Sequence, residues 1–357
     1  MPISVDSKKW GPDYVQGVSP SNPKHGMTWF DKTDNKLKIY NGNTSTWNFI
    51  TNKNFGYIIA GGNGASYTSY IQRMNFSSDS LGTKIIGNLS YTTSSNTGFN
   101  SSKHGYSITG STLVSIISRI EFPFDSGIVS NVGNTNPTIV QTSGFNSSNY
   151  GYIAGGEDNS SNRKSSIFRL TFPFDSGTMG VNGNINQSKR STSTCNSSNH
   201  GFICGGSYTE TIGFEFSNID RVTFPFDSGT SNNVGNLTTT KNLLWQQFNS
   251  SIHGFITGGY YTNSSTYLSS IDRITFPFDS GTANSTGNLN QSKATSGFNS
   301  TQYGFTVCGY NGSYLSSIER ITFPFDSGTS TLIYNLFEQL TNSKCSIDNT
   351  DFVLQFI

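Results

Sequence analysis

Charge is scarce in this 357-residue chain: Asp, Glu, Lys and Arg make up 12% of it, and the net charge is +1. So weak a field draws the protein neither to nucleic acid nor to an anionic membrane surface. No apolar run approaches the roughly 20 residues of a membrane-spanning helix, so no membrane insertion is expected. The opening stretch, "MPISVDSKKWGPDY", has no apolar segment after a basic start, and no secretory signal is expected either. Sequons such as Asn146-Ser147-Ser148 are then incidental. Cysteine is also rare. Cys195, Cys204, Cys308 and Cys345 show no metal-ligand spacing. Cys195 and Cys204 could face each other across a hairpin, but a disulfide needs an oxidising compartment for which nothing argues. Hydrophobic residues are sparse at 33%, while Gly, Asn, Ser and Thr abound, which excludes a helical bundle and suits short strands joined by turns. Aromatic residues at 13% exclude a disordered chain.

What is present is repetition. "RITFPFDSGT" stands at 273–282 and again at 320–329, with near copies at 119–127, 169–178 and 221–230 and a worn one at 73–83. A second phrase ends in a glycine pair, as in "GYIIAGG" (56–62), "GYIAGG" (151–156) and "GFITGG" (254–259). A third, "GFNSS" or a variant, precedes it. Together they define a unit of 46 to 53 residues with four strand-like runs, the period of a β-propeller blade. In "SSIDRITFPFD" the β-branched and aromatic residues favour a strand covered on both faces. "DSG" closes a hairpin, with Asp279 bonding its own backbone and Gly281 left-handed, while Pro277, lacking an N–H, suits a strand end. The glycine pair, as in Gly258-Gly259, allows close backbone approach where strands crowd the axis.

The unit resembles the kelch repeat: an aromatic-aliphatic strand ending in a Gly pair, a polar loop, then a strand with Arg or Tyr leading into a turn. The match covers 46–357. It departs from kelch in lacking the usual Trp after the third strand, and Thr109 and Cys308 replace the first glycine of the pair. The resemblance implies an all-β, kelch-like propeller and no activity. Counting 31 residues on from Asp326 lands on Ile357, so "KCSIDN" and "DFVLQFI" are read as two strands of a seventh blade. "MTWF" (27–30) and "KLKIY" (36–40) supply its other two. Seven blades with a shared closing blade are therefore expected, with six as the runner-up. The propeller would span 26–357, after an N-terminal extension over 1–25.

Candidate chemistry is thin. Arg73, Arg119, Arg169, Arg221, Arg273 and Arg320 each precede by six residues an acid, namely Asp79, Asp125, Asp175, Asp227, Asp279 and Asp326. Six copies on strands suit bonding to carbonyls or carboxylates between blades better than an anion site. His104, His200 and His253 share one slot with Tyr150 and Tyr303, which marks a planar turn residue rather than a metal ligand. "PFDSGT" partly resembles the sialidase Asp box, itself a fold element. No catalytic set is placed by any motif, so no enzyme, metal or cofactor is expected. The variable loops are Tyr-, Ser-, Asn- and Gly-rich, a composition like that of antibody paratopes. The three longest, 157–166, 207–218 and 260–270, belong to consecutive blades and carry Tyr208, Phe214, Phe216, Tyr260, Tyr261 and Tyr267 as binding candidates.

Finally, "GMTWFDKTDNKLKIYNGNTSTWNFI" (26–50) resembles a segment of tail fibres and other appendage proteins of tailed bacteriophages, especially marine ones, as do the repeats with "ITFPFDSGT". The resemblance implies a virion structural protein in the tail or an external appendage, with residues 1–25 as a virion attachment segment, assembled in the host cytoplasm as part of a symmetric oligomer. Its expected partners are other virion proteins and a host-surface glycan or protein. A purely structural decoration or adaptor is the alternative.

Overall fold

The computed structural model is all-β. It describes residues 14–348, leaving aside 17, 25–26, 32–35, 42–44, 50–54, 63–65, 77–81, 109–114, 209–213 and 338–344. Two compact units divide the chain, Met1–Lys53 and Asn54–Ile357, so the division falls well after the expected 25/26.

The first unit holds a four-stranded sheet in the order Tyr14–Gln16, Thr28–Asp31, Lys36–Asn41, Thr46–Phe49. The first two strands run parallel and the rest pair antiparallel. This corrects the expected shared blade. The strands holding "MTWF" and "KLKIY" pair with each other and with their chain neighbours in the sheet of the first unit.

The second unit is a propeller-like arrangement of four-stranded antiparallel blades. Blade 2 runs Thr97–Asn100, His104–Ile108, Ile116–Glu121, Ser130–Thr135, from the inner strand outward. Blades 3 to 6 repeat this order, with inner strands Ser143–Asn146, Ser193–Asn196, Phe248–Asn249 and Ala294–Asn299. Blade 1 opens instead at its second strand, Phe55–Gly62, followed by Tyr67–Asn75 and Thr83–Thr93. Its inner strand comes from the far end of the chain: Cys345–Asp348 pairs antiparallel with Phe55–Gly62. "KCSIDN" is thus one strand of the first blade rather than the start of a seventh, and "DFVLQFI" lies outside the described residues. Among the described residues the inner strands touch in a cycle of six, each contacting the next and the last returning to the first.

Side-chain packing closes the same cycle. The glycine that opens each second strand lies under an inner-strand side chain of the preceding blade, where a Cβ would overlap it. Phe99 covers Gly151, Phe145 covers Gly201, Cys195 covers Gly254, Phe248 covers Gly304, Phe298 covers Gly56 and Ile347 covers Gly105. Core clusters accordingly straddle neighbouring blades, as where Phe145 and Tyr152 of blade 3 join Ile203 and Val222 of blade 4. Cys195, Cys204 and Cys308 are buried free thiols. The Cys204 thiol bonds Cys195 and, with burial, lifts Cys195 well above the ordinary thiol value.

The ten repeated residues are a clasp between blades. The first Phe stacks on the aromatic ring of the preceding blade's second strand, Phe172 on Tyr106 and Phe224 on Tyr152, with centroids 5.4 and 5.3 Å apart. The second Phe packs on a glycine of the preceding blade's outer strand, Phe174 on Gly133 and Phe226 on Gly183. The turn glycine, left-handed at Gly281 with φ +111°, offers its carbonyl to that strand: Asn236 N–H donates to Gly281 O at 2.9 Å. The acid receives the preceding blade's arginine. Arg73 donates to Asp125, Arg119 to Asp175, Arg169 to Asp227, Arg221 to Asp279 and Arg273 to Asp326, each also bonding the carbonyl of the second Phe. Asp79 lies outside the described residues, and Arg320 sits over the Tyr303 ring at 4.5 Å.

These ion pairs are half open to water. The Arg221 side chain is 18% exposed and that of Asp279 is 68% exposed. The 3–5 kcal/mol that follows loss of one partner of a buried pair does not apply here. Arg221→Ala or Arg273→Ala is expected to lower unfolding free energy by about 1 kcal/mol, and by similar amounts in both. Urea titration of the two variants checks this.

Candidate binding face

Each inner strand has two ends, and a cavity lies at each. At one end, where the strands finish, Asn100, Asn146, Asn196, Asn249, Asn299 and Asp348 occupy equivalent positions around a cavity of about 400 Å³. These side chains tie the strand ends together. Asn249 Oδ1 accepts from Asn196 N–H at 3.4 Å, Asn299 Oδ1 from Asn249 N–H at 3.2 Å, and Asp348 Oδ2 from Asn299 N–H at 3.2 Å.

The other end carries the variable loops. Here the residues leading into blades 2 to 5, Ser95, Gln141, Ser191 and Leu243, all take left-handed backbone with φ between +50° and +58°. They surround a cavity of about 370 Å³, which Ser207, Tyr260, Thr262 and Tyr310 of the loops also line. The glycine pairs sit on this side. They approach the chain entering the next blade rather than the axis: Gly259 N–H donates to Lys293 O at 3.0 Å.

The three longest loops do meet. Glu157, of the first, accepts Arg190 on both oxygens at 3.0 and 2.9 Å and Arg163 at 2.6 Å. Arg190 N–H in turn donates to Ser207 O at 3.0 Å, linking the second loop. Glu215 accepts Thr262 N–H at 2.9 Å and joins the second loop to the third. Of the aromatic candidates, Tyr208 and Phe214 are exposed, while Phe216, Tyr260, Tyr261 and Tyr267 are half-buried. Phe216 packs 5.9 Å from the Lys189 ammonium, and Tyr261 accepts from Asn263 at 2.9 Å. Tyr260 and Tyr267 rings lie 4.9 Å apart, and Tyr267 meets Tyr310 of blade 6 edge-on at 5.7 Å. Tyr310 extends the aromatic patch to Tyr314, which is 40% exposed. Burial, then the Tyr310 and Tyr260 phenols, push the Tyr267 hydroxyl up to about 12. Sequence reasoning missed Tyr310, Tyr314 and Arg190. "YNGSY" at 310–314 was a readable signal for the two tyrosines.

The histidines form no cluster with other ligating groups; no set of three or more His, Cys, Asp or Glu side chains lies close enough to hold a metal among the described residues. His104, His200 and His253 pack against Tyr106, Phe202 and Phe255, as Tyr150 and Tyr303 pack against Tyr152 and Phe305. Burial, then the neighbouring guanidinium of Arg119, Arg221 or Arg273, holds each imidazole below its ordinary value. The unfolded chain therefore takes up protons first as pH falls. Stability is full above the unfolded value of about 6.5 and declines below it. The unfolding midpoint is expected to drop between about pH 7 and pH 5, and the drop to shrink when all three histidines are replaced by tyrosine, the residue already standing in this slot in blades 3 and 6. Denaturant titrations across that range check it.

Comparison with known proteins finds no family model that matches the chain and no curated protein that matches it.

Proposed function

We propose that the protein is a non-enzymatic attachment module whose loop face binds a partner, carried on the tail or another external appendage of a tailed-phage virion. The loop face supports this reading. Three consecutive loops of unequal length are cross-linked by Glu157, Arg190 and Glu215, and they hold Tyr208 and Phe214 half exposed at 50% and 49%. Aromatic surface presented on a rigid scaffold is what a contact site uses, and folding has no need of it there. The phage setting rests on the resemblance of residues 26–50 to tail-fibre segments, and the compact N-terminal unit would then serve as the mount. Exposed Tyr208 and Phe214 equally suit docking on a neighbouring virion subunit, the structural-adaptor reading.

The test is a loop replacement. Residues 215–218 must stay, because Glu215 holds Thr262 and Asn218 Oδ1 accepts from the buried Lys189 ammonium at 3.2 Å; replacing all of 207–218 would disturb the fold. Exchanging 208–214 for a Gly-Ser turn is expected to leave the melting point unchanged and to slow adsorption of particles to cells by about tenfold or more. Impaired particle assembly with normal adsorption would instead select the adaptor. Normal assembly and normal adsorption would end the reading.

A further inference from the structure

We propose that Asn311 is a site of spontaneous deamidation, selected by the turn in which it stands, and that the reaction sets a carboxylate among tyrosines of the loop face. Neither the site nor its chemistry depends on what that face binds. Among the described residues Asn-Gly occurs twice, at Asn182-Gly183 and at Asn311-Gly312. In both, the glycine nitrogen has no side chain beside it to hinder approach to the asparagine Cγ. The fold treats the two pairs oppositely.

Asn311, Gly312 and Ser313 join strands Tyr303–Tyr310 and Tyr314–Thr322, and Gly312 is exposed. Its φ is +100°, and a Cβ added there would meet nothing within 4 Å. Its N–H donates to no acceptor among the described residues. The Asn311 side chain folds back over the turn, where Ser313 N–H donates to Asn311 Oδ1 at 3.3 Å. This is an Asx turn. It closes a ring that contains both Asn311 Cγ and the Gly312 nitrogen, which limits how far the two can part. It also places a backbone donor at the oxygen on which negative charge develops during attack. The step balances with water as its only co-reactant. The Gly312 nitrogen gives up its proton and bonds Asn311 Cγ. The Cγ–Nδ2 bond breaks, and Nδ2 leaves as ammonia with that proton. Water then opens the succinimide at either carbonyl, which leaves aspartate or isoaspartate at 311.

Asn182-Gly183 has the same two residues and none of this freedom. Gly183 is buried in the outer strand Thr178–Asn184, opposite Ile167. A Cβ on it would lie 2.5 Å from Gly229 O and 2.8 Å from the Phe226 ring, so the backbone there has little room to turn. Asn182 Nδ2 donates to Asp227 O at 3.4 Å, which holds the amide toward the next blade. Ring closure at 182 requires the strand to open first. The reaction slows by that opening equilibrium, about a hundredfold or more for a packed strand.

The new charge falls at a crowded spot. Tyr310 and Tyr314 are the last pair of their hairpin, with rings 5.2 Å apart, and Tyr267 meets Tyr310 edge-on. Aspartate adds a carboxylate beside these phenols; isoaspartate also lengthens the loop backbone by a methylene.

Incubation of the full chain at mildly alkaline pH, with peptide mapping by tandem mass spectrometry at intervals, tests this. Position 311 should gain the mass of OH in place of NH2 and accept label from an isoaspartyl methyltransferase, while position 182 stays an amide. Anion exchange should resolve a more acidic species that grows at the same rate. In urea, where neither turn nor sheet persists, positions 182 and 311 should react at similar rates, and 311 no faster than in the folded chain. Asn311→Gln, which must close a larger ring, should remove the acidic species. No reaction at 311, a rate at 182 that matches it in the folded chain, or a folded rate at 311 below the urea rate would overturn the proposal.

Discussion

A chain ending at Ser343 is expected to lose its cooperative unfolding transition and to partition into aggregates. Truncation there removes the strand Cys345–Asp348, and with it the inner strand of the first blade. Three losses coincide. The antiparallel pairing from Cys345 opposite Ile59 to Asp348 opposite Gly56 disappears, leaving Phe55–Gly62 as an open edge. Ile347, fully buried against Tyr57 and Ile120, vacates the space over Gly105, which alone costs about 2–5 kcal/mol by analogy with large-to-small core changes. Asp348 no longer accepts from Asn299 N–H, so the inner strands of blades 6 and 2 face a gap. Net stability of a domain is about 5–15 kcal/mol, and these losses together consume most of it, while the bare edge invites strand pairing between chains. Ile347→Ala in the full chain isolates the packing share, and a synthetic 341–357 peptide added to the truncated protein should restore solubility. If the truncated chain melts like the full one, the closing role of Cys345–Asp348 is wrong.

That strand shows how far the sequence could be read. The repeat, its four strands and the turn chemistry of "DSG" were legible, because each is local: propensity, proline, glycine and a fixed period. The number of blades was not, because a period says nothing about where a ring closes. Counting from Asp326 to a glycine position that the chain lacks led to Ile357. Yet Asp348 stands 22 residues after Asp326, within the 20–22 that separate each repeat acid from the next inner-strand asparagine, such as Asp227 from Asn249. "CSID" is the "GFN" phrase in another spelling, with Ile347 where Phe99, Phe145, Phe248 and Phe298 stand in four of the other inner strands and Cys195 in the fifth. Partnership was ambiguous for the same reason. Arg221 lies six residues from Asp227, but it bonds Asp279 of the next blade; with both residues repeated, neighbour within a copy and neighbour between copies look alike on the page. On the loop face, the candidates divided by reach. Tyr208 and Phe214 point to solvent, whereas Tyr260 and Tyr267 are spent partly on each other.

The second large effect concerns a feature the repeat hid by occurring in only half of the blades. Lys189, Lys241 and Lys293 each lie just before an inner strand, fully buried, and each ammonium meets an equally buried carboxylate of its own blade: Asp220 at 2.9 Å, Asp272 at 3.1 Å and Glu319 at 2.9 Å. Lys241 also donates to Ser270 Oγ, Thr238 donates to Asp272, and Lys293 also donates to Ser317 Oγ. Burial pulls the Lys293 ammonium below the usual lysine range against the opposing pull of Glu319. Blade 3 fills the same two positions with Ile139 and Phe168, both buried in one apolar cluster. One chain thus holds both solutions to one packing problem. Lys241→Ala should cost about 3–5 kcal/mol, because it strands Asp272 without water or counter-charge, and lower the melting point by on the order of 10 °C. The double change Lys241→Ile with Asp272→Phe should recover most of that loss, since replacing a buried pair by apolar residues of similar volume is neutral or stabilising. Guanidinium titrations of the single and double variants supply the comparison. A single variant that loses no more than the half-exposed Arg221→Ala, or a double variant no better than the single, would show that these lysines are not held by the carboxylates they touch.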